Sequence, residues 1–154
     1  MQLKQGCRLW WLAVLAAAID RLSKAAVLQG LSRPITAIPG VLSCDFVKNS
    51  GAAFGMLAGS WLLPLITIAL MAVLLIWLIR HTEMPRLMRI GLWLIIGGGL
   101  GNLYDRIAYG YVIDFIRLDF IHFPVFNAAD IFVCVGVGLV LLSAFISERR
   151  PADG

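Results

Sequence analysis

This 154-residue sequence contains nine acidic residues, and two of them stand where a carboxylate is costly. Asp114 is flanked by Ile113, Phe115 and Ile116, while Asp130 follows Asn127–Ala128–Ala129 and precedes a run, Ile131 to Ser147, that carries no charge. Ionisable side chains bordering such apolar surroundings mark function by default when the surroundings are lipid. Two carboxyls held close together cannot both ionise, so they share one proton and titrate as a pair. One can then act as base toward a water while the other donates a hydrogen bond to a carbonyl. A plainer reading exists for Asp130, as the N-terminal anchor of a helix whose dipole favours a negative charge. That reading accounts for its position but not for Asn127 beside it. Asp114 and Asp130 are sixteen residues apart with Pro124 between them. No single helix face brings them together, so the intervening segment must fold back onto the start of the last helix.

Other chemistries find little support. Cys7, Cys44 and Cys134 show no C-x-x-C spacing and read as small packing residues, with no disulfide framework and no metal site. His81 and His122 are too far apart to form a local ligand pair. No serine–histidine or cysteine–histidine arrangement accompanies the aspartates. The stretch Gly97–Gly98–Gly99–Leu100–Gly101 lacks the third glycine of a phosphate-binding turn and no strand precedes it. Gly97 and Gly101 instead form a small-xxx-small face for close helix packing, which would bring Asn102 and Arg106 beside a neighbouring helix.

The elements that must position these residues follow from composition. Hydrophobic types make up 60% of the chain and charged ones 14%, with a mean hydropathy of +0.88. An ordinary soluble domain is about 45–50% apolar and about 25% charged, so the chain reads as a single integral membrane domain, 1–154. Uncharged runs predict four transmembrane helices, at about 9–28, 58–79, 88–107 and 129–147. The first could be mistaken for a cleaved signal peptide, with Lys4 and Arg8 before an apolar run and Ala16–Ala17–Ala18 as a cleavage site. The helical pattern continues past Ala18, however, and Asp20 and Lys24 stand four apart on one face. An uncleaved span with a charged pair at its far end is the better reading.

Cation density in short loops orients the bundle. Arg80, Arg86 and Arg89 crowd the 80–89 loop, Lys4 and Arg8 precede the first span, and Arg149 and Arg150 follow the last. Both termini and that loop are therefore expected in the cytoplasm. The linkers 29–57 and 108–128 fall outside. They are too apolar for solvated loops and too interrupted by Pro and Gly to cross, and their β-branched and aromatic residues suggest short strands on the membrane surface. The fold class is membrane all-α, a four-helix bundle with a small outer β element. Six aspartates, Asp20, Asp45, Asp105, Asp114, Asp119 and Asp130, share the outer side with six cations, leaving the whole net charge of +4 inside. Asp20 is expected to pair with Lys24 or an outer arginine, and Asp105–Arg106 could be simply interfacial. The basic balance does not suggest nucleic acid, because the cations sit between apolar runs and not on a polar face.

Five motifs in order resemble the lipoprotein signal peptidase (signal peptidase II) family of bacteria. They are Asp20-x-x-x-Lys24, Asn49–Ser50–Gly51–Ala52–Ala53–Phe54–Gly55, Gly97 through Asn102 to Asp105–Arg106, Gly110–Tyr111–Val112–Ile113–Asp114–Phe115, and Phe126–Asn127–Ala128–Ala129–Asp130. Each alone is weak, but five in order over nearly the whole chain are specific. Ile131 departs from the pattern, since many relatives place serine there. The resemblance implies an aspartic endopeptidase of the cytoplasmic membrane that cuts signal peptides from lipid-modified prolipoproteins just before the diacylglyceryl-cysteine. Asp114 and Asp130 would be its catalytic pair. Asn102, Arg106 and Asn127 would stabilise and orient the site, Asn49 with Arg106 would face substrate, and Asp20 with Lys24 would be largely structural. No cofactor is implied, globomycin is the expected inhibitor, and the expected partners are prolipoprotein and membrane lipid around a monomer.

Two rival readings remain at this level. A small proton-coupled transporter would carry its acids near the midplane and show internal repeats, whereas here the acids gather at one face without a repeat. A non-catalytic assembly partner using the glycine face would need neither Asp114 nor Asp130.

Overall fold

A computed structural model describes residues 7–30, 33–51, 59–81 and 83–148. Within them a single turn at Cys7–Leu9 leads into α1 (Trp10–Gly30), β1 (Ile35–Ile38), β2 (Leu42–Asn49), α2 (Leu62–Arg80), α3 (Arg86–Tyr109), β3 (Val112–Leu118) and α4 (Ala128–Glu148). Residues 52–55 of the Asn49–Gly55 motif, and Lys4, Arg149 and Arg150, lie outside the described residues.

Helices α2, α3 and α4 are each long and apolar enough to cross a membrane. Helix α1 is similar in length but includes Asp20, Arg21 and Lys24, and it is not among the three. Outward-facing residues on α2 and α4 are large and apolar, among them Leu65, Ile66, Leu70 and Val73, then Val137, Leu141, Leu142 and Phe145. In water such a surface would be an aggregation hazard; in lipid it has no cost. The protein is a membrane protein, and Asp20, Lys24, Asp105, Asp114 and Asn127 are turned inward.

Helix α3 is the element against which α1, α2 and α4 all pack, and its glycines explain why. A side chain at Gly97 would strike the Ala13 carbonyl at 2.6 Å, and one at Gly101 would strike the Asp20 carboxylate. The expected Gly97/Gly101 face therefore exists, against α1. A second face runs along α3 toward α4. Gly91 and Gly136 each meet the other's carbonyl oxygen, at 2.5 and 2.6 Å from where a methyl would sit, and Gly98 abuts the Ala129 carbonyl. Removing Cβ at these points lets backbones approach where no hydrophobic force draws helices together.

Both linkers contain the expected strands. β1, β2 and β3 make one antiparallel sheet in that order. β2 pairs with β3 from Leu42↔Leu118 to Asn49↔Val112, with an irregularity between Cys44 and Val47 that restores Val47 opposite Asp114. Val27 of α1 packs with Ile113 and Phe115 beneath the sheet, and Cys44 and Phe46 join them. Helix α3 ends at Gly110, whose φ of 78° is left-handed and whose N–H donates to the Arg106 carbonyl at 3.1 Å. That conformation suits glycine and lets the chain pass into β3 with only Tyr111 between.

Candidate active site

The fold-back that the spacing demands is made by Phe126. Its carbonyl accepts from the N–H groups of Phe115 (3.0 Å) and Ile116 (2.8 Å), and its own N–H donates to the Ile116 carbonyl at 3.1 Å. This pins the start of α4 onto β3, immediately beside Asp114.

Asn127 then joins the two aspartates. Its Nδ2 donates to Asp114 Oδ1 at 2.6 Å, while its backbone N–H donates to Asp130 Oδ2 at 3.1 Å. Asn127 Oδ1 in turn accepts from the Asp130 N–H at 3.1 Å. The reciprocal pair is a capping box at the head of α4. The plain reading of Asp130 as a helix anchor is thus correct as far as it goes, and it includes Asn127. What capping does not require is the bond from Asn127 to Asp114, nor the one from Asn102 Nδ2 to Asp130 Oδ1 at 2.8 Å.

From the sheet side, Asn49 Nδ2 donates to Asp114 Oδ2 at 2.9 Å, and its Oδ1 accepts from the Gly51 N–H at 3.1 Å. Arg106 reaches from α3 to the Gly51 carbonyl at 3.2 Å and to the Asn102 carbonyl at 3.4 Å, tying the chain after β2 to the end of α3. Asn49, Asn102, Arg106, Asp114 and Asp130 all line one cavity of about 560 Å³. Its far wall is apolar, formed by Phe123, Val125, Ile131 and Val135. Cys134, expected to pack, is instead exposed one helical turn from Asp130 and lines the same cavity. The four-residue spacing from Asp130 places it on that side of α4. Among the described residues no group of three or more His, Cys, Asp and Glu side chains could hold a metal ion.

Asp114 is 2% exposed. Burial pushes its carboxyl up to about 6, against the hydrogen bond from Asn49, and the nearby charge of Asp130 pushes the same way. A carboxyl raised in this way beside a second carboxylate suits shared acid–base work.

Beside the aspartates lies a second cluster, in which Lys24, Asp20 and Asp105 are fully buried. Lys24 Nζ contacts Asp20 Oδ2 at 2.9 Å, Asp105 Oδ2 at 2.7 Å and Asn102 Oδ1 at 2.9 Å. Asp20 pairs with Lys24 as expected, and its Oδ2 also lies 3.7 Å from Arg21. Asp105 was open to an interfacial reading. Instead it is fully buried, paired with Lys24 and with Arg21 at 2.5 Å, and it accepts the Ile113 N–H at 3.1 Å. Arg21 stacks over the Tyr104 ring, 4.6 Å from its centroid. Sequence reasoning singled out neither Asp105 nor Arg21. Their adjacency to Arg106 and Asp20 offered a local explanation, and only the Gly110 turn brings Ile113 back to Asp105.

A family profile described as Signal peptidase (SPase) II matches residues 12–146. The chain belongs to the signal peptidase II family. Among its relatives, a lipoprotein signal peptidase of Shewanella loihica is 41% identical over 96% of this chain and 92% of its own length. Those of Pseudomonas fluorescens and Streptococcus agalactiae are 44% and 38% identical, each over 90% of this chain, and over 88% and 92% of their own lengths. A solved bacterial membrane enzyme superposes with a TM-score of 0.85 at 27% identity, covering 94% of this chain and 91% of the other. A second does so at 0.78 and 28%, covering 94% and 92%. As a member of signal peptidase II the protein is a peptidase, so the transporter and assembly-partner readings are set aside.

Proposed function

We propose that the protein removes signal peptides from diacylglyceryl-modified prolipoproteins by hydrolysing the bond before the lipidated cysteine, with Asp114 and Asp130 as the catalytic pair. The observation that carries this reading is the bridge of Asn127 between both carboxylates at the polar end of one cavity. Membership of signal peptidase II supports the substrate class, and the apolar far wall of the cavity suits a substrate bearing acyl chains.

In the proposed reaction Asp130 is the base. Asn102 and Asn127 donate to its two oxygens and hold the carboxylate at the cavity wall. It takes a proton from water as the water oxygen bonds to the scissile carbonyl carbon, while Asp114 gives its proton to the carbonyl oxygen. The tetrahedral intermediate collapses when Asp130 passes its proton to the leaving nitrogen and the C–N bond breaks. Asp114 recovers the hydroxyl proton as the carbonyl re-forms. Asn49 and Arg106, both on the cavity wall, would hold the substrate backbone in line.

In the same reading α1 is the fourth span, and residues 1–154 form one membrane domain. The termini and the 80–89 loop lie in the cytoplasm, and the site faces outward in the inner membrane. The density of cations in the 80–89 loop, with Arg80, Arg86 and Arg89, supports that orientation. The enzyme works as a monomer, and globomycin occupies the cavity. Purified protein should convert a diacylated prolipoprotein to its mature form, seen as a mobility shift, and globomycin should stop it. The unlipidated precursor should stay intact. Equal cleavage of lipidated and unlipidated precursors would contradict the substrate assignment.

A further inference from the structure

We propose that Lys24 is a positioning residue for the aspartate pair, fixing the direction of the amide hydrogen bonds that reach both carboxylates. The proposal rests on the dyad reading above and deepens it.

A buried ammonium group has three N–H donors and no acceptor. At Lys24, which is 0% exposed, three acceptors surround Nζ: the carboxylates of Asp20 and Asp105, and Asn102 Oδ1. Because Lys24 only donates, the oxygen of the Asn102 amide must face it, and Asn102 Nδ2 is left to face Asp130 Oδ1. The same Asn102 oxygen accepts from Asn127 Nδ2 at 3.0 Å, which turns the Asn127 nitrogen toward Asp114 Oδ1 and its oxygen toward the Asp130 N–H. One donor-only group thus gives two amides a single polarity. Turning Asn102 over would set its NH2 against an ammonium and its oxygen against a carboxylate, each contact repulsive.

The two carboxylates paired with Lys24 also hold the backbone beside each aspartate. Asp20 Oδ1 accepts the N–H of Ala129, one residue before Asp130, at 3.1 Å. Asp105 Oδ2 accepts the N–H of Ile113, one residue before Asp114, at 3.1 Å. An i,i+4 pair serving α1 alone would need Asp20 and nothing else; the contacts to Asn102 and Asp105 have no such use. The charged groups about Lys24 are Asp20 on α1 and Asp105 on α3, with Arg21 on those same carboxylates and Asp114 on β3 within reach of its charge.

The test must separate positioning from folding, because removing one partner of a buried ion network leaves an uncompensated charge. The double variant Lys24→Met/Asp20→Asn removes one charge of each sign and keeps an oxygen for the Ala129 N–H. With diacylated prolipoprotein it should lose at least about tenfold in kcat with KM within about twofold, the pattern of a group that acts in the transition state. Its pH profile of kcat/KM should also move to higher pH by at least about half a unit, because the donors that favour the charged carboxylate are no longer aimed. Lys24→Arg, which still only donates, should keep the profile at the parent position whatever its rate. A double variant with parent kinetics, a loss of kcat with the profile unmoved, or a displaced profile in Lys24→Arg would each overturn the proposal. Failure of the dyad reading would show separately, as cleavage by Asp114→Asn or Asp130→Asn chains.

Discussion

Asp114 is buried beside apolar residues of its own strand and accepts a hydrogen bond on each oxygen, from Asn127 and Asn49. Burial nevertheless dominates and raises its carboxyl to about 6, so the folded protein favours the protonated form. That contribution to stability is full below 3.8, the ordinary value, and is lost as pH rises through about 6. In the proposed reaction the same group supplies the proton, so kcat/KM is expected to fall on the alkaline side with an apparent midpoint near 6. A kcat/KM profile flat from pH 5 to 8 would contradict this. Asn49→Ala should lower turnover by about tenfold while the chain stays folded, since a donor that fixes the Asp114 carboxyl is lost; an ordinary hydrogen bond contributes about 0.5–1.5 kcal/mol. Unchanged kinetics would mean that β2 merely covers the bundle. At this scale the sequence exposes Asp114 and Asp130 because their neighbours are apolar, and Asn127 because it stands unexplained beside Asp130. It conceals Asp105, whose neighbour Arg106 supplies a ready but wrong partner, and it conceals the hub role of Lys24. Both depend on contacts between α1, α3 and β3 that have no local signature.

Helix α3 carries two glycine faces, and they make different demands. At Gly98 an added methyl would run into the Ala129 carbonyl, which is backbone and cannot yield. At Gly99 the nearest atom is Met71 Sδ at 3.3 Å, the flexible end of a side chain. Gly98→Ala should therefore destabilise by about 1–3 kcal/mol and impair cleavage, because Ala129 adjoins Asp130. Gly99→Ala should be nearly neutral. Thermal unfolding in detergent measures both, and equal melting temperatures for the two variants would contradict the packing described here. The Gly97/Gly101 face is legible because four-residue spacing within a glycine cluster has a known use. The Gly91–Gly136 contact is not, since neither glycine has another four residues away and only the crossing of α3 with α4 pairs them. Likewise β-branched residues reveal strands in both linkers, but the irregularity between Cys44 and Val47, which sets Val47 opposite Asp114, follows from three-dimensional pairing alone.

Over the whole molecule, scarce charge is placed inside or at the ends while the outward faces of α2 and α4 are apolar. The cluster of Lys24, Arg21, Asp20 and Asp105 is neutral in sum, so it costs far less than its parts would in a low-dielectric interior. For that reason the charges of α1 are compatible with a place in the bundle, although they weaken the hydropathy signal by which a span is recognised. With the native cysteines replaced by alanine, a cysteine at Glu83 should be labelled by an impermeant maleimide only from the cytoplasmic face. One at Phe120 should be labelled only from the outer face. The reverse pattern would invert the proposed orientation. The hydrolytic role of the aspartates is tested most directly by the initial rate of diacylated prolipoprotein cleavage in Asp114→Asn and Asp130→Asn chains that melt within a few degrees of the parent. Each should lose at least about a hundredfold, the lower range for a positioned acid or base. Cleavage by either variant at the parent rate would contradict a two-aspartate mechanism.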